Sequence, residues 1–304
     1  MSNVQTYNYN NQPITFEVIG EGKPLIILHG WGSSRRVMLP IAKSLAHIRT
    51  SYVLDLPGFG DSPEPKTSWS IDNYADAVES FISNNFDSKV DLLVHSFGGR
   101  ITLKLCSRQF GKEKIDKVLI TGGAGMKPKR SLKFYFKKYL AKILKLPLLI
   151  LPKELQASAL SKLRQTSLWK SLGSGEYNQL SGVMRETFVK SVTEYLENCL
   201  PNIPHDILLL WGRNDDATPV YQGERIEKGI TNSALVIIED SGHYAFLDKP
   251  KQFASISEAF LKDLFFNNLF RVDNAILLFI LIVGHELIRT LNFFDRNFFI
   301  RYNC

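Results

Sequence analysis

The stretch Val94-His95-Ser96-Phe97-Gly98-Gly99-Arg100 lies between an apolar run, Val90-Asp91-Leu92-Leu93-Val94, and a helix-compatible segment, Ile101-Thr102-Leu103-Lys104-Leu105-Cys106. A serine on a strand-to-helix turn, with glycines two and three residues after it, has the form of a nucleophile elbow. Such a turn lifts the hydroxyl out of the sheet edge. It also sets the serine at a helix N-terminus, where backbone N–H groups face any developing negative charge. Glycine and serine are common loop residues, so the same letters also spell an ordinary tight turn with a solvent-facing serine.

What separates the two readings is the company the serine keeps. A serine hydroxyl is a weak nucleophile at neutral pH and needs a general base. His243 sits in Asp240-Ser241-Gly242-His243-Tyr244-Ala245-Phe246, just after the apolar run Leu235-Val236-Ile237-Ile238. That places it in a loop at the C-terminal end of a strand. An acid must hold the imidazole in one tautomer and stabilise its charged form. Asp215 follows the apolar run that ends at Trp211, and spacing from Gly212 favours it over its neighbour Asp216. A second oxyanion donor is expected where Leu25-Ile26-Ile27-Leu28 runs into His29-Gly30-Trp31-Gly32. There the Trp31 N–H would pair with the N–H of Phe97.

Taken together, His29-Gly30-Trp31-Gly32, Asp55-Leu56-Pro57-Gly58-Phe59-Gly60-Asp61-Ser62, the elbow, Trp211-Gly212-Arg213-Asn214-Asp215 and Ser241-Gly242-His243 resemble the α/β-hydrolase superfamily, in its order Ser, Asp, His. The resemblance covers residues 14 to 262, with a gap in the middle. It implies catalysis by Ser96, Asp215 and His243, an oxyanion hole at the Trp31 and Phe97 backbone, and no cofactor or metal. Ser96 sets the chain apart from the haloalkane dehalogenases and epoxide hydrolases of this fold, which carry Asp at the elbow. One departure is Val94, where the family usually has glycine; a bulkier residue there bears on how closely helix and strand approach. The glycines of the Asp55–Ser62 loop read as turn residues. His29, His95 and Arg185 are candidate substrate contacts, and each has a structural reading beside it: turn-flanking or pocket-lining histidines, and an arginine in a salt bridge or in solvent. His47 and His205 lack any motif.

The 304 residues suffice for one large core with an inserted subdomain. Hydrophobic content of 44% and charged content of 22% are ordinary for a globular protein. The first residues show no basic region followed by an apolar run, and Cys106, Cys199 and Cys304 have neither metal-like nor framework spacing. These features predict a cytoplasmic protein, with no nucleic-acid partner. The formal net charge of +7 is concentrated between Lys127 and Lys145.

Strand and helix patterns alternate through residue 121, which predicts a mostly parallel central sheet covered by helices on both faces, an α/β fold. Residues 126–204 carry only helical patterns, so they read as a helical cap inserted between core segments 1–125 and 205–266. Within the cap, residues 131–146 form a basic amphipathic helix. Its bland reading is a cap helix with lysines in water; its sharper readings, over residues 127–145, are an anionic membrane surface or an acidic carrier protein. Residues 267–304 form a hydrophobic C-terminal tail whose apolar run, Ala275 to Gly284, is too short to span a bilayer and is expected to lie at an interface or pack on the surface, peripheral to the inner membrane face.

The function expected is hydrolysis of a small-molecule carboxylic ester or acyl substrate through an acyl-enzyme. The alternatives are carbon–carbon bond hydrolysis of the meta-cleavage-product type, a carrier-protein methyl esterase, and a non-catalytic binding protein on the same scaffold. The oligomeric state is not legible.

Overall fold

The computed structural model describes residues 4–130, 132–150, 152–166, 180 and 182–262. The apolar run 275–284 and the rest of the expected tail, 267–304, lie outside the described residues. The described chain falls into two compact units that part between Lys249 and Pro250.

The first unit is built on an eight-stranded sheet: β1 (Val4–Tyr9), β2 (Gln12–Ile19), β3 (Lys23–Leu28), β4 (Arg49–Leu54), β5 (Val90–His95), β6 (Ile115–Thr121), β7 (Asp206–Gly212) and β8 (Ser233–Ile238). Their spatial order is β1-β2-β4-β3-β5-β6-β7-β8. β1 and β2 form an antiparallel hairpin, and β2 runs antiparallel to β4. Every other pairing is parallel. The hairpin turns on Asn10 and Asn11, both at positive φ (49° and 64°), the conformation that a two-residue primed turn requires and asparagine tolerates. The central strands are apolar on both faces: Leu25 to Leu28 and Leu92 to Val94 are fully buried. That is the signature of parallel strands covered on two sides.

Helices α1 (Arg35–Ser44), α2 (Ile71–Asn85), α3 (Phe97–Ser107) and α4 (Gln109–Lys114) connect these strands. α2 starts at a capping box, in which Ser70 and Asn73 satisfy each other's backbone N–H groups. Between β6 and β7 every regular element among the described residues is helical: α5 (Leu132–Lys145), α6 (Lys153–Gln165), α7 (Gly182–Thr193) and two short 3₁₀ turns. α8 (Tyr221–Gly229) and the single turn α9 (Ala245–Asp248) flank β8. The second unit contributes α10 (Pro250–Leu261), whose buried Phe253, Ile256, Ser257 and Phe260 recur at helical spacing. No helix among the described residues is long and apolar enough to cross a membrane.

Register brings the strand ends together. Leu28 pairs with Val94, and Val94 with Ile120. Thr121 pairs with Leu210, and Gly212 with Ile238. The loops after β3, β5, β6, β7 and β8 therefore leave the sheet at one edge, where open α/β sheets place their ligands.

Candidate active site

Ser96 occupies the turn between β5 and α3 at φ 50° and ψ −105°. A left-handed conformation costs a non-glycine residue about 1–2 kcal/mol, and such strain collects at functional turns. Three backbone bonds hold it: Ser96 N–H donates to the Thr121 carbonyl (3.1 Å), and the Ser96 carbonyl accepts from Gly99 (2.9 Å) and Ala124 (3.0 Å). A Cβ at Gly98 would stand 2.9 Å from both the Cβ and the carbonyl oxygen of Leu28, so glycine is what lets α3 lie this close to β3. Val94 is accommodated upstream as a buried strand residue, and the elbow forms beyond it.

The loop after β3 runs alongside this turn. A Cβ on Gly30 would meet the His95 ring at 2.9 Å and the Ser96 Cβ at 3.2 Å. Trp31 and Phe97 face each other edge-on, with ring centroids 5.1 Å apart. Phe97 is the first residue of α3, so its N–H has no acceptor within the helix, whereas the Gly98 N–H is committed to the His29 carbonyl (3.2 Å).

Asp215 and His243 meet across the ends of β7 and β8. His243 Nδ1 lies 2.9 Å from Asp215 Oδ2. Asp215 is buried and is also bonded by Thr218, whose N–H donates to Oδ1 (2.8 Å) and whose hydroxyl shares its one proton between Oδ2 (2.9 Å) and the Gly122 carbonyl (2.8 Å). Burial alone would raise the Asp215 pKa, but the bonds from His243 and Thr218 outweigh it and hold the carboxyl below its ordinary value. With Asp215 ionised, the proton on His243 belongs on Nδ1, which leaves Nε2 as the lone pair. The neighbouring Asp216 is exposed.

Ser96, His243, Trp31, Phe97 and His95 line one cleft of about 260 Å³. Its walls are completed by Arg100 of α3, Met126 and Arg130 beyond β6, and Phe188 and Val192 of α7. His95 is 1% exposed, and its Nε2 lies 3.0 Å from the His243 carbonyl. A carbonyl only accepts, so Nε2 carries the hydrogen and ties the His243 loop to β5. Burial, reinforced by nearby His243, pulls the His95 pKa down to about 3 and keeps the ring neutral.

Two expected contacts lie elsewhere. His29 is fully buried outside the cleft: it accepts the Leu56 N–H on Nε2 (3.0 Å), so Nδ1 donates to the Gly30 carbonyl (2.7 Å). Burial pulls its pKa down to about 4. It fastens the loop after β3 to the loop after β4. Arg185 lies on α7 but is not among the residues that line the cleft. Thr218, Gly122 and Arg100 are the residues that sequence reasoning missed. Only Thr218 carried a signal, as a hydroxyl three residues past Asp215, a spacing that favours local side-chain-to-backbone bonds.

In the loop after β4, Asp55 accepts from the N–H groups of Arg35 (2.6 Å) and Asp61 (2.9 Å) and pairs with the Arg35 guanidinium. Gly58 and Gly60 turn there at positive φ, as turn residues should. No cluster of His, Cys, Asp and Glu among the described residues could hold a metal ion.

Residues 23–250 match the family model for the alpha/beta hydrolase fold. A pimeloyl-[acyl-carrier protein] methyl ester esterase of Neisseria meningitidis is 24% identical over 257 residues, covering 79% of this chain and 77% of that protein. A 2-hydroxymuconate semialdehyde hydrolase of a Pseudomonas strain is 24% identical over 260 residues, covering 80% and 88%. Among solved structures, an esterase from Exiguobacterium antarcticum superposes with a TM-score of 0.64 at 23% identity, covering 86% of this chain and all of that one. The match over residues 23–250 and the order of the eight strands agree, and the chain belongs to the α/β-hydrolase fold family.

Proposed function

We propose that this hydrolase cleaves small carboxylic esters with Ser96 as nucleophile, His243 as general base and Asp215 as the acid that orients it. The observation that carries the reading is the pairing of a strained serine with a polarised imidazole on one cleft. Ser96 is held at positive φ, and His243 reaches the same space with its other nitrogen 2.9 Å from a buried carboxylate. His243 Nε2 takes the Ser96 proton as the hydroxyl oxygen attacks the ester carbonyl. The N–H groups of Trp31 and Phe97 receive the oxyanion, each contributing roughly 3 kcal/mol to the transition state. Collapse expels the alcohol, protonated by His243. Water, deprotonated by the same imidazole, then releases the acid.

Residues 126–204 act as the cap over core segments 1–125 and 205–266. Met126, Phe188 and Val192 give the cleft apolar walls suited to an acyl chain. The esterase among the relatives supports an ester substrate. Labelling with a fluorophosphonate tests the reading: wild type is modified, and Ser96→Ala and His243→Ala are not. A folded wild type that refuses the probe would favour a binding protein instead.

A further inference from the structure

Arg100 lies four residues past Ser96 on α3, about 6 Å further along the helix axis. Its side chain lines the same cleft, yet the residue is only 7% exposed. Its Nη1 donates to the Glu194 carbonyl at 2.6 Å, and among the described residues no carboxylate stands within ion-pair distance of it. The nearby acids are engaged elsewhere. Glu194 pairs with Lys104 at 2.7 Å, and Glu197 with Arg225 at 2.9 Å. Burial pulls the Arg100 pKa down to about 10, with Tyr195, Glu194 and Glu197 opposing it through space and Arg130 adding to it, so Arg100 remains charged at neutral pH. Arg130 also lines the cleft, and among the described residues no Asp or Glu does.

A buried cation without a counter-ion is costly. A guanidinium offers five N–H donors in a planar fork, and one backbone carbonyl engages only part of it. We propose that Arg100 is a specificity residue that receives a small oxyanion, a carboxylate or phosphate borne by the substrate a few bonds from the scissile carbonyl. For an ester hydrolase this means half-esters of short diacids, whose free carboxylate meets Arg100 while the ester reaches Ser96. This inference rests on the serine-hydrolase reading for its reaction, though the anion subsite itself can be measured without turnover.

The test compares kcat/KM for monomethyl glutarate with that for neutral dimethyl glutarate. A charge-assisted bond to a buried guanidinium sets the expected effect at about 10- to 100-fold. The wild-type ratio should favour the half-ester by that factor, and Arg100→Gln should abolish the preference, with Arg100→Lys retaining part of it. If Arg100 merely pins the Glu194 carbonyl, both substrates suffer alike and the ratio stays put, which overturns the proposal. Should the variants misfold, the Ser96→Ala protein answers by calorimetry. Glutarate or inorganic phosphate should bind where uncharged glutaramide does not, and whichever of the two binds identifies the anion. Binding of neither overturns the subsite. A chain that binds glutarate but hydrolyses no ester refutes the serine-hydrolase reading and leaves the subsite intact. One that hydrolyses the diester and ignores both anions does the reverse.

Discussion

Gly122→Ala probes how narrowly the Asp215–His243 contact is set. Gly122 follows β6 at φ 53°, and a Cβ there would stand 3.1 Å from His243 Nδ1 and 3.2 Å from Asp215 Oδ2. Both are the atoms of the 2.9 Å bond between the two side chains. An added methyl must therefore push that bond aside by several tenths of an ångström. A displacement approaching 1 Å in a positioned group can cost about 100-fold in rate, so a fall in kcat of about 10- to 100-fold is expected. Alanine at positive φ also costs about 1–2 kcal/mol, partly offset by a less flexible unfolded chain, so the melting temperature should fall by a few degrees. Gly182→Ala supplies the control. It has nearly the same φ, 50°, but nothing within 4 Å of the added Cβ, so it carries the backbone penalty without the collision. Initial rates on a chromogenic ester and thermal melts of the two variants complete the comparison. If Gly122→Ala loses no more activity than Gly182→Ala, the reasoning that this contact governs the base is wrong.

Thr218→Val removes the hydroxyl whose proton is shared between Asp215 Oδ2 and the Gly122 carbonyl, and leaves the backbone bond to Oδ1 in place. Loss of one bond to a charged carboxylate, roughly 1.5–3 kcal/mol, should raise the Asp215 pKa and lower kcat/KM at neutral pH about tenfold; unchanged kcat/KM would contradict the role given to Thr218. Stability should also depend on pH through His29 and His95, whose folded pKa values are depressed to about 4 and about 3 by burial. An unfolded histidine takes up its proton near pH 6.5, so below that value the unfolded state binds protons that the folded state refuses. The two rings together should make stability fall by about 2–3 kcal/mol per unit as pH drops from 6 toward 4, and urea unfolding at pH 7.5, 6 and 5 would show a flat profile if the rings were free to charge.

The parts of this chain that read clearly in sequence are those in which local chemistry and tertiary position coincide. Leu25 to Leu28 and Leu92 to Val94 are apolar without alternation because both faces of the central sheet are covered, and each runs directly into the turn it positions. Ser96, Trp31 and His243 are legible for the same reason, as residues just past a strand end. Asp215 and Asp216 are adjacent acids, and only the fold of the loop separates them: one turns inward to Thr218 and His243, the other outward. Arg100 reads as one more charge on an amphipathic helix, because its burial depends on Glu194, ninety-four residues distant. The choice of Arg185 as a contact depended on where α7 meets the cleft. Phe188, Ser191 and Val192 supply that face, and Arg185 lies a turn away. His95 and His29 look alike in sequence, each flanking a turn. The bond to the His243 carbonyl puts the first beside His243, and the bond to the Leu56 N–H puts the second under a loop.

The most direct test of the central claim is covalent. Wild-type protein is mixed with p-nitrophenyl butyrate, quenched in acid within the first turnover and mapped by peptide mass. A butyryl adduct on the peptide containing Ser96, absent from the Ser96→Ala protein together with ester turnover, is the result this account predicts. Turnover that survives Ser96→Ala, or an adduct on any other residue, would contradict it.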